Sequence, residues 1–225
     1  MPRRPTVSPD RILAVAALEF AERGYAGARV DRIARRARVN KAMLYYHFGS
    51  KQALYRALLR QIFSSAAGRL HAIATSEAPP DQKIDRVIGE MAAFIAEHAF
   101  FPAIMLREVA EGGAHLDRDT LKALAGVPLA IGAIVQQGVA QKTLRSVHPI
   151  AAYFTMFAPI LMYLAGTPIR KELAARHLGD MSSLPPDLFV QQLQRSVRLA
   201  FAVPRTRQPA RHTRHHPHRT SHLAR

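Results

Sequence analysis

The sequence predicts an all-α protein of about nine helices. Three observations carry the prediction. Apolar residues recur at three- and four-residue spacing along most of the 225 residues, and sustained period-two alternation is lacking. Ser8, Asn40, Ser50 and Asp117 each stand before a periodic segment, as an N-cap should. Gly or Pro follows or opens them, as helix ends and first turns favour.

Ser8-Pro9-Asp10 starts the first helix, whose face is Ile12, Leu13, Ala16, Ala17 and Phe20 until Gly24 ends it. Val30, Ile33, Ala34 and Ala37 mark a short second helix. Asn40 caps a third with Leu44 and Phe48 inward, and Ser50 caps a fourth striped by Leu54, Leu58 and Ile62. After Pro79-Pro80-Asp81 a fifth helix carries Ile84, Val87, Ile88, Met91, Phe94 and Ile95. A sixth runs from about Phe101 to Glu111 and stops at Gly112-Gly113. A seventh extends from near Asp117 to about Val139, with a kink expected at Pro128. Two more occupy about 149–165 and 186–202. From Pro204 onward apolar periodicity is lost, and residues 204–225 read as a disordered basic tail rich in His and Arg.

The charge is segregated. Residues 1–60 hold 13 Lys/Arg against 4 Asp/Glu, residues 61–203 hold 13 against 12, and residues 204–225 hold 6 arginines and no acid. Two basic blocks around a nearly neutral middle fit a polyanionic partner, nucleic acid or an acidic membrane surface. The absence of cysteine excludes disulfides and permits a reducing compartment. The apolar run Ile12–Leu18, fenced by Arg11 and Glu19, is at the bottom of the signal-peptide range and better suits a helix face. The longest apolar stretch, around 149–165, contains Pro159 and reads as a buried helix rather than a membrane span.

The second and third helices, "VDRIARRA" and "KAMLYYHF", are separated by Arg38-Val39-Asn40. Two short helices with a three-residue turn fit a helix-turn-helix, whose second helix enters the DNA major groove. Lys41, Ala42, Tyr45, Tyr46 and His47 cannot all face inward with Leu44 and Phe48. Cationic, methyl and aromatic groups of this kind suit phosphates, base edges and thymine methyls. Lys51, at the start of the next helix, adds a cation where backbone N–H groups already favour an anion.

Residues 10–60 resemble the DNA-binding domain of the TetR/AcrR family of transcriptional regulators. The resemblance rests on Phe20-x-x-x-Gly24-Tyr25, Val30-x-x-Ile33-Ala34, Leu44-Tyr45-Tyr46-His47-Phe48 and Lys51-x-x-Leu54, in that order. It implies a helix-turn-helix domain at 1–55 and a helical effector-binding and dimerisation domain at 56–203. It further implies a cytoplasmic homodimer on double-stranded palindromic DNA, released by a small-molecule effector, with no cofactor. The family's groove-facing residues carry onto Tyr45, Tyr46 and His47, and its phosphate-binding lysine onto Lys51. Asn40, Lys41 and Ala42 complete the expected DNA face. Two departures stand out. Arg38 occupies a turn position where the family usually has glycine, which costs about 1 kcal/mol if the backbone is left-handed. Ala28-Arg29 replaces the usual Thr or Ser cap of the second helix, so that Arg29 and Arg38 become the expected phosphate contacts.

In the middle of the chain Met91, Phe94, Ile95, His98, Phe101 and Met105 form an adaptable apolar set. By residue type they suit either core or a ligand pocket; the pocket assignment comes from the resemblance. Tyr153, Phe157 and Leu161, with Phe189, Leu193 and Val197, are expected at a dimer interface, because the segment 149–165 is apolar on every side. A fully buried helix within one chain would carry the same pattern. Glu108, Glu111 and His115 have carboxylate–histidine chemistry, but solvated helix and loop positions explain them too, and no metal is assigned. Nucleophile elbows, phosphate-cradling glycine loops and His-Glu-x-x-His are missing, so an enzyme is not expected. The tail "RHTRHHPHRTSH" fits a DNA-affinity extension, a metal-binding tract or an inert terminus. An effector-free architectural DNA-binding protein and a metal sensor using the tail, or His98 and His115, are the competing functions.

Overall fold

The computed structural model describes residues 8–179 and 183–203, so the expectation of a disordered tail at 204–225 lies outside the described residues. Among the described residues ten helices follow one another: α1 Pro9–Gly27, α2 Val30–Ala37, α3 Lys41–Phe48, α4 Lys51–Ala74, α5 Pro80–Glu97, α6 Phe101–Ala110, α7 Arg118–Ala140, α8 Pro149–Ala165, α9 Thr167–Ala175 and α10 Pro186–Phe201. The expected caps are in place. Ser8, Asn40, Ser50 and Asp117 each accept from a backbone N–H three residues on, and Asp117 also accepts from the Thr120 hydroxyl at 2.6 Å.

Two differences from the sequence reading have physical causes. The count of nine helices misses α9, because Gly166-Thr167-Pro168 reads as the end of α8. Pro168 instead sits in a first helical turn, where its missing N–H is not needed, and the chain bends 45° between the two helices. None of α9 is buried, so it carries no apolar stripe for a pattern to detect. The other difference is at Gly24, where the φ of 69° breaks the regular helix but a further turn carries α1 on to Gly27. At Pro128, where a kink is expected, α7 continues as one helix.

A continuous apolar core runs from Ile12 in α1 to Phe201 in α10. α4 begins in the N-terminal helical trio and extends deep into the larger C-terminal bundle, so residue 55 falls inside a helix. The central member of that bundle is α7, packed against α4, α5 and α8. By length and composition α7 would be able to cross a membrane, with a mean hydropathy of 1.6; part of its apolar surface meets those three helices, while Leu121 and Leu129 stay exposed.

The α4–α7 crossing is close because Gly126 faces Ala67: a Cβ at Gly126 would stand 2.6 Å from that of Ala67. Gly126→Val should therefore push the two helices apart and cost about 1–3 kcal/mol by overpacking. Thermal unfolding checks this; a midpoint equal to the parent's would show that the crossing is looser than described.

Candidate nucleic-acid interface

The first three helices are held by a buried acid. Helical periodicity from Ile12 and Ala16 turns Glu19 inward, and its side chain is fully buried. One carboxylate oxygen accepts from the Arg29 backbone N–H at 3.3 Å and pairs with Arg32 Nε at 2.7 Å. The other meets Arg36 at 3.5 Å, and Glu22 on the next turn of α1 takes the same guanidinium at 3.3 Å. Arg29 makes no side-chain cap of its own for α2. Glu19 thus anchors the entry to α2 from another helix through the Arg29 N–H, while the N–H groups that a Ser or Thr cap would take keep no side-chain acceptor from Arg29. The sequence reading overlooked Glu19; its place on the apolar face of α1 was the available signal.

The turn between α2 and α3 uses Arg38 at φ 59° and ψ 40°, a left-handed conformation. Its backbone N–H reaches back to the Arg35 carbonyl, and that of Val39 to the Ala34 carbonyl, which closes the end of α2. The Arg38 side chain is exposed beside the start of α3.

On α3 only Leu44 is fully buried, while Met43 and Phe48 are half-buried. Lys41, Ala42, Tyr45, Tyr46 and His47 all face solvent, with Tyr46 87% exposed. Its ring meets the His47 ring edge-on at 5.5 Å. Lys41 pairs with Asp31 of α2 at 2.9 Å and lies 5.9 Å from the centre of the Tyr45 ring. The Asp31 hydrogen bond and charge hold the Lys41 ammonium above its ordinary range. Lys51 is less free than a bare surface lysine. Its ammonium donates to the Ala26 carbonyl at 3.2 Å, sits 4.7 Å over the Tyr25 ring, and is drawn below the ordinary lysine range by burial. It ties α4 to the end of α1 at the edge of the same face.

The second region lies in the C-terminal bundle. Phe63, Leu70, Met91, Phe94, Ile95, Phe101, Met105, Leu124, Val127, Tyr153 and Phe157 wall a small interior cavity of about 30 Å³. A wider apolar groove of about 550 Å³ between α6, α7 and α8 shares Met105, Leu124, Tyr153 and Phe157 with it. Burial pushes the Tyr153 hydroxyl up to about 12. Arg69 is the charged residue at the cavity wall; it pairs with Glu90 at 3.0 Å and Glu97 at 2.8 Å and stacks over Phe94. Of the residues expected to form a pocket, Met91, Phe94, Ile95, Phe101 and Met105 line this cavity. His98 does not: it caps α5, stacked on Phe94 at 4.3 Å with Nδ1 against the Phe94 carbonyl.

Among the residues expected at a dimer interface, Tyr153, Leu161 and Val197 are buried within the single chain, and Phe157, Phe189 and Leu193 are half-buried. The exposed apolar residues of the same helices are Ile150, Phe154 and Met162 on α8 and Leu188 and Leu199 on α10.

The two regions meet at α6. Phe101 and Met105 face the cavity, while Arg107 on the next turn donates to the Phe20 and Ala21 carbonyls of α1. Glu108 accepts from the buried Tyr55 hydroxyl of α4 at 2.8 Å. Burial, with the Glu108 hydrogen bond, pushes that hydroxyl well above the ordinary tyrosine range. Glu108 was read as a solvated helix position, yet it is only 2% exposed.

An exposed aromatic and cationic helix behind a tight turn, on a basic helical trio, defines a DNA-binding protein of the helix-turn-helix class. Residues 12–58 match the family described as bacterial regulatory proteins, tetR family. The chain is 27% identical over 156 residues to the HTH-type transcriptional repressor NicS of Pseudomonas putida, covering 68% of this chain and 74% of that one. It is 43% identical over 77 residues to the HTH-type transcriptional regulator RutR of Escherichia coli K12, covering 34% of this chain and 36% of RutR. Among solved structures, Streptomyces coelicolor SCO4942 superposes with a TM-score of 0.63 at 26% identity, over 87% of this chain and 98% of that one. The chain is a TetR-family transcriptional regulator.

Proposed function

We propose that this regulator is a repressor that holds a palindromic operator as a homodimer and leaves it when an apolar small molecule binds between α5, α6, α7 and α8. The observation that carries the reading is the double duty of α6. Its Phe101 and Met105 wall the cavity, its Arg107 grips α1 of the DNA-binding trio, and its Glu108 grips α4, which follows that trio. A ligand that shifts α6 would shift the recognition helices with it. Only a ligand with different affinities for the two arrangements can move the population.

DNA affinity would come from phosphate contacts by Arg29, Arg38, Lys51 and neighbouring arginines. Sequence preference would come from the exposed face of α3, Asn40 to His47. The second protomer would pack on the exposed apolar residues of α8 and α10. The effector belongs to the apolar class, because the cavity and groove are walled almost wholly by hydrocarbon and the Arg69 charge is already neutralised by two glutamates. Such a protein works by binding alone, in the bacterial cytoplasm.

A panel of neutral apolar compounds titrated against the protein–operator complex tests this. At least one compound should weaken operator binding tenfold or more. Met105→Trp, which fills the shared wall of cavity and groove, should abolish that response while retaining operator binding. A panel without effect, or an unchanged response in Met105→Trp, contradicts the reading.

A further inference from the structure

The joint between the DNA-binding trio and the ligand domain holds a cluster that neither the DNA face nor the apolar cavity uses. Glu108 Oε1 lies 2.9 Å from His115 Nδ1, and Glu111 Oε2 lies 3.4 Å from the same nitrogen. One donor atom from each of the three residues falls within 4.8 Å of the others. The ligand–ligand edge of a tetrahedral site with bonds of about 2.0–2.2 Å is about 3.3–3.6 Å, so the Glu111 separation already fits it and the Glu108 separation would open by roughly 0.4 Å.

The second observation is independent of the spacing. Glu108 is 2% exposed, and its other oxygen, Oε2, is buried without a hydrogen-bond partner among the described residues. Buried carboxylate oxygens are normally met by a donor or a cation. The His115 contacts account for Oε1 and for Glu111 but leave Oε2 unmet, whereas an ion taken by both oxygens of the Glu108 carboxylate would satisfy it.

The surroundings are those of a prepared ligand set. The Tyr55 hydroxyl donates to Glu108 Oε1 and fixes the carboxylate, as an outer-shell partner of a metal ligand does. The His115 ring lies tilted at 42° against Tyr25, centroids 4.0 Å apart, and meets Tyr55 edge-on at 5.5 Å. Its backbone carbonyl accepts from Arg56 Nε at 3.0 Å, and left-handed Gly112 and Gly113 turn the loop back towards α6. The nearest cations are engaged elsewhere: Arg107 with the α1 carbonyls, and Arg56 also with Asp117 at 3.6 Å. The Glu111 side chain is 48% exposed, which gives a path from solvent.

We propose that Glu108, Glu111 and His115 bind one divalent transition-metal ion of the zinc class, with a fourth position open to water. One imidazole and two carboxylates suit that class better than a thiolate-seeking or all-oxygen metal. The ion would rivet the α6–α7 loop to the α4 face that carries Tyr55, and so stiffen the joint through which a ligand signal must pass.

Isothermal titration of the full-length chain with zinc chloride tests the proposal. Any zinc taken by the tail histidines would be the same in every variant, so the informative quantity is the difference between variants. Wild type should bind one more zinc than Glu111→Gln, whose exposed side chain leaves folding intact by circular dichroism; His115→Gln should lose the same site. Crystals grown with zinc should show anomalous scattering within bonding distance of all three residues. Equal stoichiometry in wild type and both variants, or zinc scattering confined to other residues, overturns the proposal.

Discussion

Glu19→Ala should destabilise the DNA-binding trio by about 3 kcal/mol or more. Removing the one carboxylate leaves the Arg29 N–H without its acceptor, frees two partly buried guanidinium groups from their counter-charge and opens a void beneath α2. The loss is a large share of the 5–15 kcal/mol that holds a typical domain together. Glu19→Gln should fall in between, since an amide oxygen still accepts from Arg29 but no longer pairs with Arg32 and Arg36. Thermal unfolding followed by circular dichroism, with DNA binding measured in parallel, separates the cases. A Glu19→Ala protein as stable as its parent would mean that the arginines find solvent at no cost and that the Arg29 N–H needs no acceptor from α1.

The second large effect should appear in DNA recognition without any change in stability. The Tyr46 side chain is 87% exposed, so Tyr46→Ala removes almost no buried surface, and its stability should stay within about 0.5 kcal/mol of the parent. Affinity for the preferred site should nevertheless fall tenfold or more, because a side chain reading base edges contributes about 1–3 kcal/mol of discrimination. Affinity for unrelated DNA, supplied by phosphate contacts, should hardly move. A uniform drop on both DNAs would reassign Tyr46 to backbone positioning.

Much of this architecture is legible in the residues. Caps such as Ser8, Asn40, Ser50 and Asp117 are local devices, and local devices survive folding. The outward crowding on α3 is likewise legible, since eight residues carry more polar and aromatic groups than one buried face accepts. The joint is not legible. Glu108 and Tyr55 stand 53 positions apart, and only the packing of α6 on α1 and α4 turns a seemingly solvated acid into a buried one. Tyr153, Leu161 and Val197 show the opposite problem. Their apolar pattern announces burial but not whether the covering surface belongs to the same chain, and here the same chain supplies it. His98 sits among pocket-lining neighbours in sequence, yet lies past the end of α5, where the helical register no longer governs its direction.

The central claim is sequence-selective DNA recognition by a twofold pair of α3 helices. Selection from a random-sequence DNA pool with the full-length protein at physiological salt tests it most directly. One inverted repeat should be enriched, with half-sites about a helical turn or a multiple of it apart. That site should be bound about a thousandfold or more tighter than unrelated DNA of equal length. A pool that gains affinity without converging on any sequence would contradict it.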